Sequence, residues 1–148
     1  MEDEAPHVPL DFIRYGPTEM LDRARQFHGL MDRRRTIRYF SDEPVPFDVI
    51  AEVVRTANTA PSGAHKQPWT FCVVGNPALK HKIREAAEQE EKINYESRMS
   101  EEWLDDLKPF ATDWNKPFLD IAPWLIVVFK RAYEMDADGN KHQNYYAA

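Results

Sequence analysis

The sequence has a single cysteine, Cys72, and only five glycines among its 148 residues. One cysteine cannot form an intrachain disulfide or a cysteine zinc site, and a lone cysteine inside an apolar run is typical of a core residue. The glycines do not follow the G-x-G-x-x-G or G-x-x-x-x-G-K spacing, which excludes the two commonest glycine-rich phosphate loops. The five histidines show no i, i+4 pairing, so we predict no metal site.

Basic residues are in the minority, with 19 Lys and Arg against 25 Asp and Glu and a formal net charge of −6. Nucleic-acid binding needs a net basic face, so we predict no nucleic-acid partner. No apolar run approaches the roughly 20 residues that span a bilayer, and the acidic N-terminus lacks a signal-peptide pattern. We expect no membrane segment in this chain and a soluble protein as given. It would be cytoplasmic if complete at its N-terminus and membrane-anchored if an N-terminal anchor has been removed.

The apolar pattern predicts one domain over residues 18–148, preceded by an extended arm over residues 1–17. Helical spacing predicts three helices and two apolar runs predict strands, which indicates an α/β or α+β class. The helices are expected to begin at Thr18 as an N-cap, at Pro46 and at Pro77, the last ending near Met99. The strands are expected over Trp69–Val74 and Trp124–Phe129, with a turn at Asp138-Gly139.

The stretch from Ser100 to Asp120 mixes charge with bulky apolar residues and lacks a regular period. Such a pattern predicts a mobile lid or a partner surface. Trp103, Leu104 and Leu107 are its candidate apolar contacts.

Three arginines surround a threonine after the first predicted helix, at Arg34, Arg35, Thr36 and Arg38. The rigid fork of the guanidinium suits a phosphate monoester. A solvated basic turn at a helix C-terminus is the alternative, and spacing alone favours it.

A short loop, Pro61-Ser62-Gly63-Ala64, precedes the first predicted strand. Its backbone N–H groups are candidates for contacting an anion or a ring edge, and a plain connection is the alternative. His65 beside the loop has no recognisable nucleophile as partner.

Glu91 and Tyr95 stand at i, i+4 on one helix face, and Lys116 follows the irregular stretch. A carboxylate, a phenol and an ammonium would together match an amino-acid zwitterion. The alternative is that the charged run from Glu88 to Lys92 forms a solvated helix face.

Taken together, these motifs resemble the FMN-dependent nitroreductase superfamily from about Pro6 to Tyr146. The resemblance rests on Arg34-Arg35-Thr36-Ile37-Arg38, Pro44-Val45-Pro46, Thr59 to His65 and Gln67-Pro68-Trp69-Thr70-Phe71. Glu91-Lys92-Ile93-Asn94-Tyr95, Lys116 and the segment from Asp120 to Pro123 are similar to the iodotyrosine deiodinase branch of that superfamily.

The resemblance implies an α+β fold, a nitroreductase-like α/β sandwich with FMN at a homodimer interface. It implies that Arg34, Arg35, Thr36 and Arg38 contact FMN and that Pro61, Ser62, Gly63 and Ala64 lie along the flavin. It assigns the Ala64 N–H to the substrate phenolate. It assigns Glu91, Tyr95 and Lys116 to the substrate's charged groups, within a lid over about residues 91–120.

The implied reaction is reductive dehalogenation of mono- and diiodotyrosine to tyrosine and halide. The reducing equivalents would come from NADPH, through a reductase or directly. A general FMN-dependent nitroreductase or quinone reductase is one alternative, and a non-catalytic truncated form is another.

The sequence departs from the family pattern after Tyr146, where relatives continue with a core helix, a hydroxyl for flavin N5, a further arginine and a final strand. Ala147-Ala148 also stand where an acidic residue is expected. Two strands are few for a complete sheet. We therefore expect either further residues in the natural protein or a chain that holds little FMN.

Overall fold

A computed structural model describes residues 9–145, and the chain divides after Ile37 into two compact units. The first unit contains helix α1, Pro17–Met31. The predicted N-cap at Thr18 is wrong, because Gly16 is the capping residue and Pro17 opens the helix. Proline suits that first position because its fixed φ is helical and an N–H there would have no partner. The part of the predicted arm before Pro9 lies outside the described residues.

Between residues 38 and 145, the second unit contains four α-helices and four strands. The helices are α2 (Phe47–Asn58), α3 (Pro77–Ile93), α4 (Glu101–Leu107) and α5 (Phe118–Ile121), and a π-helical turn over Asn94–Arg98 extends α3. The strands are β1 (Trp69–Val74), β2 (Leu125–Lys130), β3 (Tyr133–Met135) and β4 (Lys141–Gln143). The predicted α+β class is confirmed.

Strands β1 and β2 pair antiparallel, with Trp69 opposite Lys130 and Val74 opposite Leu125. The prediction for β1 is confirmed, whereas β2 begins one residue later than the predicted run. Both strands are rich in β-branched and aromatic residues, which fit a pleated and partly buried surface.

Strands β3 and β4 form a second antiparallel pair that the apolar pattern did not predict. The predicted turn at Asp138-Gly139 joins them, and Gly139 has a φ of +82°, which glycine adopts without strain. Asp136 organises this turn, because its Oδ1 accepts hydrogen bonds from the N–H groups of Asp138 at 3.0 Å and Asn140 at 2.8 Å. A side chain that bonds its own backbone in this way stabilises a short turn.

The contact between α3 and α5 is held by a buried lysine. Lys80 is only 5% exposed, and its Nζ donates to the carbonyl oxygens of Asp120 at 2.8 Å and Ala122 at 2.6 Å. Ala122 beside this contact is also buried, at 7% exposed. Because Lys80 is buried, its charge is stabilised by these bonds to backbone carbonyls, and the same bonds join α3 to α5.

The apolar face of α2 is only half covered. Ile50 and Val54 are half-buried, whereas Val49 and Val53 are about half exposed, at 50% and 51%. The described residues thus give α2 little apolar cover. Among the described helices, none combines the length and apolar character that crossing a membrane requires.

A tryptophan covers the end of β1. A Cβ built on Gly75 would lie 2.3 Å from the Trp124 ring, so the ring rests directly on the glycine backbone. The indole Nε1 donates to the Val45 carbonyl at 2.8 Å, and the Phe47 ring lies 5.7 Å away between centroids. This contact joins the start of α2 to the edge of the β1–β2 pair.

Candidate active site

Helix α3 carries the acidic and phenolic groups that the sequence assigned to a substrate. Asn76 caps its start by accepting the Leu79 N–H at 3.0 Å, and Pro77 opens the helix. Residues 88, 91 and 95 are spaced three and four apart and so share one side of this helix. Tyr95 lies in the π-helical turn that follows, a type of segment often found at functional sites.

Glu91 and Lys116 form an ion pair across 25 residues of chain. The Lys116 Nζ donates to Glu91 Oε1 at 3.1 Å, and Asn94 Nδ2 donates to Glu91 Oε2 at 3.2 Å. The two charged side chains are 21% and 30% exposed, so the pair is largely screened from water. The structure therefore brings together two of the three residues predicted to bind a zwitterion, in direct contact.

The pKa of Glu91 reflects this environment. Burial raises its pKa, but the hydrogen bonds from Lys116 and Asn94 outweigh burial, and the net pKa lies below the ordinary value. The charge of Arg38 adds a smaller attraction in the same direction. Glu91 is therefore held as a carboxylate, the form that an ammonium group needs.

Tyr95, the third of these residues, is half-buried, and its hydroxyl donates to Thr112 Oγ1 at 3.1 Å. Thr112 lies between the two ends of the predicted lid, so this bond ties the lid to the π-helical turn. A phenol that is already oriented in this way needs little reordering to meet a ligand.

A second acidic residue of α3 contacts the backbone of Lys116. Glu88 Oε1 accepts the Lys116 N–H at 2.7 Å and the Arg84 Nε–H at 2.7 Å. Arg84 in turn donates from Nη1 to Asp120 Oδ2 at 2.9 Å. The bond from the Lys116 backbone, followed by the bond from Arg84, lowers the pKa of Glu88.

The predicted lid has more regular structure than its sequence indicated. Ser100 caps α4 by accepting the Trp103 N–H at 3.2 Å, and a 3-10 turn follows over Lys108–Phe110. Leu104 and Leu107 are half-buried, whereas Trp103 is 55% exposed. The stretch without a regular apolar period is therefore two short helical segments, α4 and the 3-10 turn that contains Pro109, and not a single irregular loop.

The loop Pro61–Ala64 is strained. Ala64, His65 and Gln67 have φ angles of +49°, +53° and +43°, the left-handed region that non-glycine residues rarely adopt. The Ser62 hydroxyl stabilises the loop by accepting the Gln67 N–H at 2.7 Å. Within residues 9–145, no hydrogen bond engages the Ala64 N–H. Clusters of strained backbone of this kind occur at ligand-binding sites.

The loop is fixed from both sides. The Asn58 carbonyl, at the end of α2, accepts Gln67 Nε2 at 3.1 Å, and its side chain accepts Trp69 Nε1 at 2.8 Å. Arg131, after β2, donates to the Gln67 carbonyl at 2.7 Å. These bonds hold the strained conformation between α2 and the sheet.

The arginine segment includes residues of each unit, because the chain divides between Ile37 and Arg38. In the first unit, Arg34, Arg35 and Thr36 are exposed, and Arg35 Nη1 donates to the carbonyls of Asp32 at 2.5 Å and Arg34 at 2.8 Å. Arg38 belongs to the second unit and is also exposed. No carboxylate among residues 9–145 forms an ion pair with Arg34, Arg35 or Arg38.

Sequence reasoning missed three residues of this region: Glu88, Asn94 and Thr112. Glu88 stands three residues before Glu91 on the same helix side, and that spacing was the available signal. Asn94 and Thr112 carried no signal, because their roles depend on contacts made only in the fold.

The nitroreductase family profile matches residues 31–148, and the chain therefore belongs to the nitroreductase family. This confirms the nitroreductase-like fold that the motifs implied.

Two relatives and one solved structure define the similarity further. The chain is 53% identical to the iodotyrosine deiodinase of Haliscomenobacter hydrossis over 99% of its length and 52% identical to that of Danio rerio over 98%. It spans 66% and 49% of those two proteins. A crystal structure of an oxidized iodotyrosine deiodinase bound to FMN and 3-iodo-L-tyrosine has a TM-score of 0.64, with 37% identity over 70% of this chain and 55% of that chain.

Proposed function

We propose that this chain is the cofactor- and substrate-binding region of an FMN-dependent halotyrosine dehalogenase. The observation that carries the proposal is the Glu91–Lys116 ion pair, which the structure forms between an α3 residue and the far end of the lid. Support comes from the iodotyrosine deiodinases at 53% and 52% identity and from the solved relative that holds FMN and 3-iodo-L-tyrosine.

The amino-acid end of a halotyrosine matches the clamp, by which we mean Glu91, Tyr95 and Lys116. The substrate ammonium would replace Lys116 at the Glu91 carboxylate, and the substrate carboxylate would take the Lys116 amine. The Tyr95 hydroxyl, now 3.1 Å from Thr112, would donate to the same carboxylate. Each charge of the clamp then exchanges one ionic partner for another, so none is left buried and unpaired.

The phenol end of the substrate matches the strained loop. The N–H of Ala64 would donate to the phenolate oxygen and hold the ring in its ionised form, since hydrogen bonding to the charged form favours it. The positive φ of Ala64 turns the backbone away from a regular strand or helix, where this N–H would be used internally.

FMN fits the chemistry of the remaining groups. An anionic phosphate suits Arg34, Arg35, Thr36 and Arg38, because none of these arginines forms an ion pair with a carboxylate in the described part of the chain. Pro61, Ser62 and Gly63 would lie along the flavin. When bound, FMN supplies the reducing electrons for the replacement of halogen by hydrogen. We propose NADPH as their source, through a reductase or directly.

The lid would separate the bound ring from water. Leu104 and Leu107 supply its apolar side, and Thr112 connects it to Tyr95. Exclusion of water strengthens the charge-assisted bonds of the clamp and keeps the substrate oriented. We also propose a homodimer, which the resemblance implies for this fold.

The proposal is tested by binding of two ligands that share a halogenated ring. The purified protein loaded with FMN is titrated with 3-iodotyrosine and with 2-iodophenol, which lacks the zwitterion, and flavin fluorescence is followed. Two charge-assisted contacts are absent for 2-iodophenol, so it should bind at least about a hundredfold more weakly. Glu91→Gln should shrink that difference and leave the flavin absorbance unchanged.

Three outcomes would reject the proposal. Equal affinity for the two ligands would show that the clamp does not recognise the zwitterion. Preference for a nitroaromatic over 3-iodotyrosine would favour a general nitroreductase. A protein without flavin absorbance after purification in excess FMN would favour a non-catalytic form.

A further inference from the structure

We propose that Glu88 is a positioning residue for the substrate clamp, acting on the backbone of Lys116 while Glu91 acts on its side chain. The inference rests on the proposed function, because it concerns the same clamp. Two carboxylates three residues apart on α3 thus hold the two ends of one lysine.

The geometry places the Lys116 N–H 2.7 Å from Glu88 Oε1 and the Lys116 Nζ 3.1 Å from Glu91 Oε1. The Lys116 carbonyl is also fixed, since it accepts the Leu119 N–H at 3.0 Å. Lys116 therefore begins the turn that leads into α5, and its backbone is restrained on both sides.

Glu88 is itself oriented by a network that the clamp does not include. Its side chain is 16% exposed, and the same Oε1 accepts Arg84 Nε at 2.7 Å. Arg84 bridges to Asp120, whose carbonyl accepts the buried Lys80 amine at 2.8 Å. The chain of contacts runs from the middle of α3 to the residues on both sides of α5.

The restraint has a direct consequence for ligand binding. Lys116 is paired with Glu91, so a zwitterion must separate the two side chains before it can contact either. With the backbone fixed by Glu88, only side-chain torsions of Lys116 need to change. Without Glu88, the backbone would also have to be ordered, and that entropy would weaken zwitterion binding selectively.

The experiment compares Glu88→Ala with Glu88→Gln, whose amide oxygen still accepts the Lys116 N–H. The first readout is hydrogen exchange of the Lys116 amide without ligand. The second is the ratio of the dissociation constants for 2-iodophenol and 3-iodotyrosine in FMN-loaded protein. Glu88→Ala should speed the exchange and lower the ratio, each by about tenfold, which matches one lost bond to a charged group. Glu88→Gln should restore much of both.

Two further variants keep the result interpretable. Glu85→Ala removes an exposed carboxylate from the same helix, and both readouts should stay at parental values. Glu88→Leu removes the acceptor and keeps a large helix-forming side chain, so it replaces Glu88→Ala should that variant not fold.

The inference is overturned if Glu91→Gln lowers the ratio of the two dissociation constants but Glu88→Ala and Glu88→Leu do not. It is also overturned if, with the same result for Glu91→Gln, these two variants leave the Lys116 amide protected from exchange. Equal weakening of both ligands together with loss of FMN would also overturn it, since that pattern indicates a general structural role. Failure of the proposed function looks different: the parent protein and Glu91→Gln would then show the same ratio, close to one.

Discussion

The clamp and the arginine segment both carry charges that we assign to ligands, but they differ in how those charges are satisfied. Glu91 and Lys116 are paired with each other and are 30% and 21% exposed. Arg34 and Arg35 are exposed, and among residues 9–145 the Arg35 guanidinium bonds only backbone carbonyls near it in sequence. A ligand at the clamp must therefore displace an existing ion pair, whereas a phosphate at the arginine segment meets cations in water.

This difference predicts two kinds of recognition. Exchange of ionic partners at a half-buried site rejects ligands that lack either charge, because each missing group leaves a protein charge unpaired. Exposed cations attract any anion of suitable shape, and salt weakens the attraction. The clamp should thus determine selectivity, and the arginine segment should contribute to retention of the cofactor.

Removal of the clamp cation should have the largest effect. Lys116→Gln should weaken binding of 3-iodotyrosine by about thirtyfold or more, because it removes the charge-assisted bond that the substrate carboxylate would make to Lys116. Binding of 2-iodophenol and the flavin content should change little. Titration of FMN-loaded protein measures both ligands, with the exposed Lys82→Gln as the matched control. A similar loss for both ligands would mean that Lys116 does not select the zwitterion.

A substitution in the arginine segment should have a weaker effect, and this effect should be on FMN binding. Arg38→Ala should lower FMN affinity by about tenfold through loss of one charge-assisted contact to phosphate. Absorbance of the flavin after dialysis at low and high salt provides the measurement, and Arg25→Ala on α1 is the control. The assignment of Arg38 to the phosphate is wrong if the variant keeps full FMN occupancy at both salt concentrations.

The lid lies between Tyr95 and Lys116 of the clamp, and ligand binding should change its protease sensitivity by a smaller factor. Chymotrypsin cleavage after Trp103, which is 55% exposed, should slow several-fold when saturating 3-iodotyrosine is added to FMN-loaded protein. Cleavage after Tyr133, in the β3–β4 hairpin, serves as an internal reference and should not change. An unaltered rate at Trp103 would argue against closure of the lid over the substrate.

The smallest effect is expected for the hydrogen-bonded pair Asp136 and His142, which lies outside both the clamp and the arginine segment. The hydrogen bond from His142, together with those from Asn140, lowers the Asp136 pKa from 3.8 to about 2. Because the folded pKa is depressed, this contribution to stability is complete above pH 3.8 and is lost as the pH falls toward 2. Carbon-detected NMR of Asp136 should show the low midpoint. His142→Ala should raise it, whereas Lys141→Ala should not.

The sequence was most informative where a local rule acts alone. The apolar run Trp69–Val74 is strand β1 as predicted, and the periodic helix from Pro77 continues through Ile93 into the π-helical turn. The β3–β4 pair escaped prediction because its strands are three residues long and mostly polar. Such short pairs depend on turn chemistry, here that of Asp136, more than on alternation of apolar residues.

Only part of the candidate site could be predicted from local rules in the sequence. Glu91, Tyr95 and Lys116 were candidates from their spacing and were assigned to the substrate through a resemblance. The structure adds the contacts between Glu91 and Lys116 and between Tyr95 and Thr112. Glu88 belongs to a charged run that on its own indicates a solvated face. Only the position of Lys116, 28 residues away, makes Glu88 a hydrogen-bond acceptor within the fold.

The contact between Gly75 and Trp124 has a consequence for how this sequence can change. Gly75 does not have a positive φ, so glycine is required there for space and not for backbone conformation. Any side chain at position 75 would displace an indole that also bonds Val45 and packs near Phe47. Positions 75 and 124 should therefore vary together in functional descendants of this chain, with a larger residue at the first accepted only after a smaller one at the second.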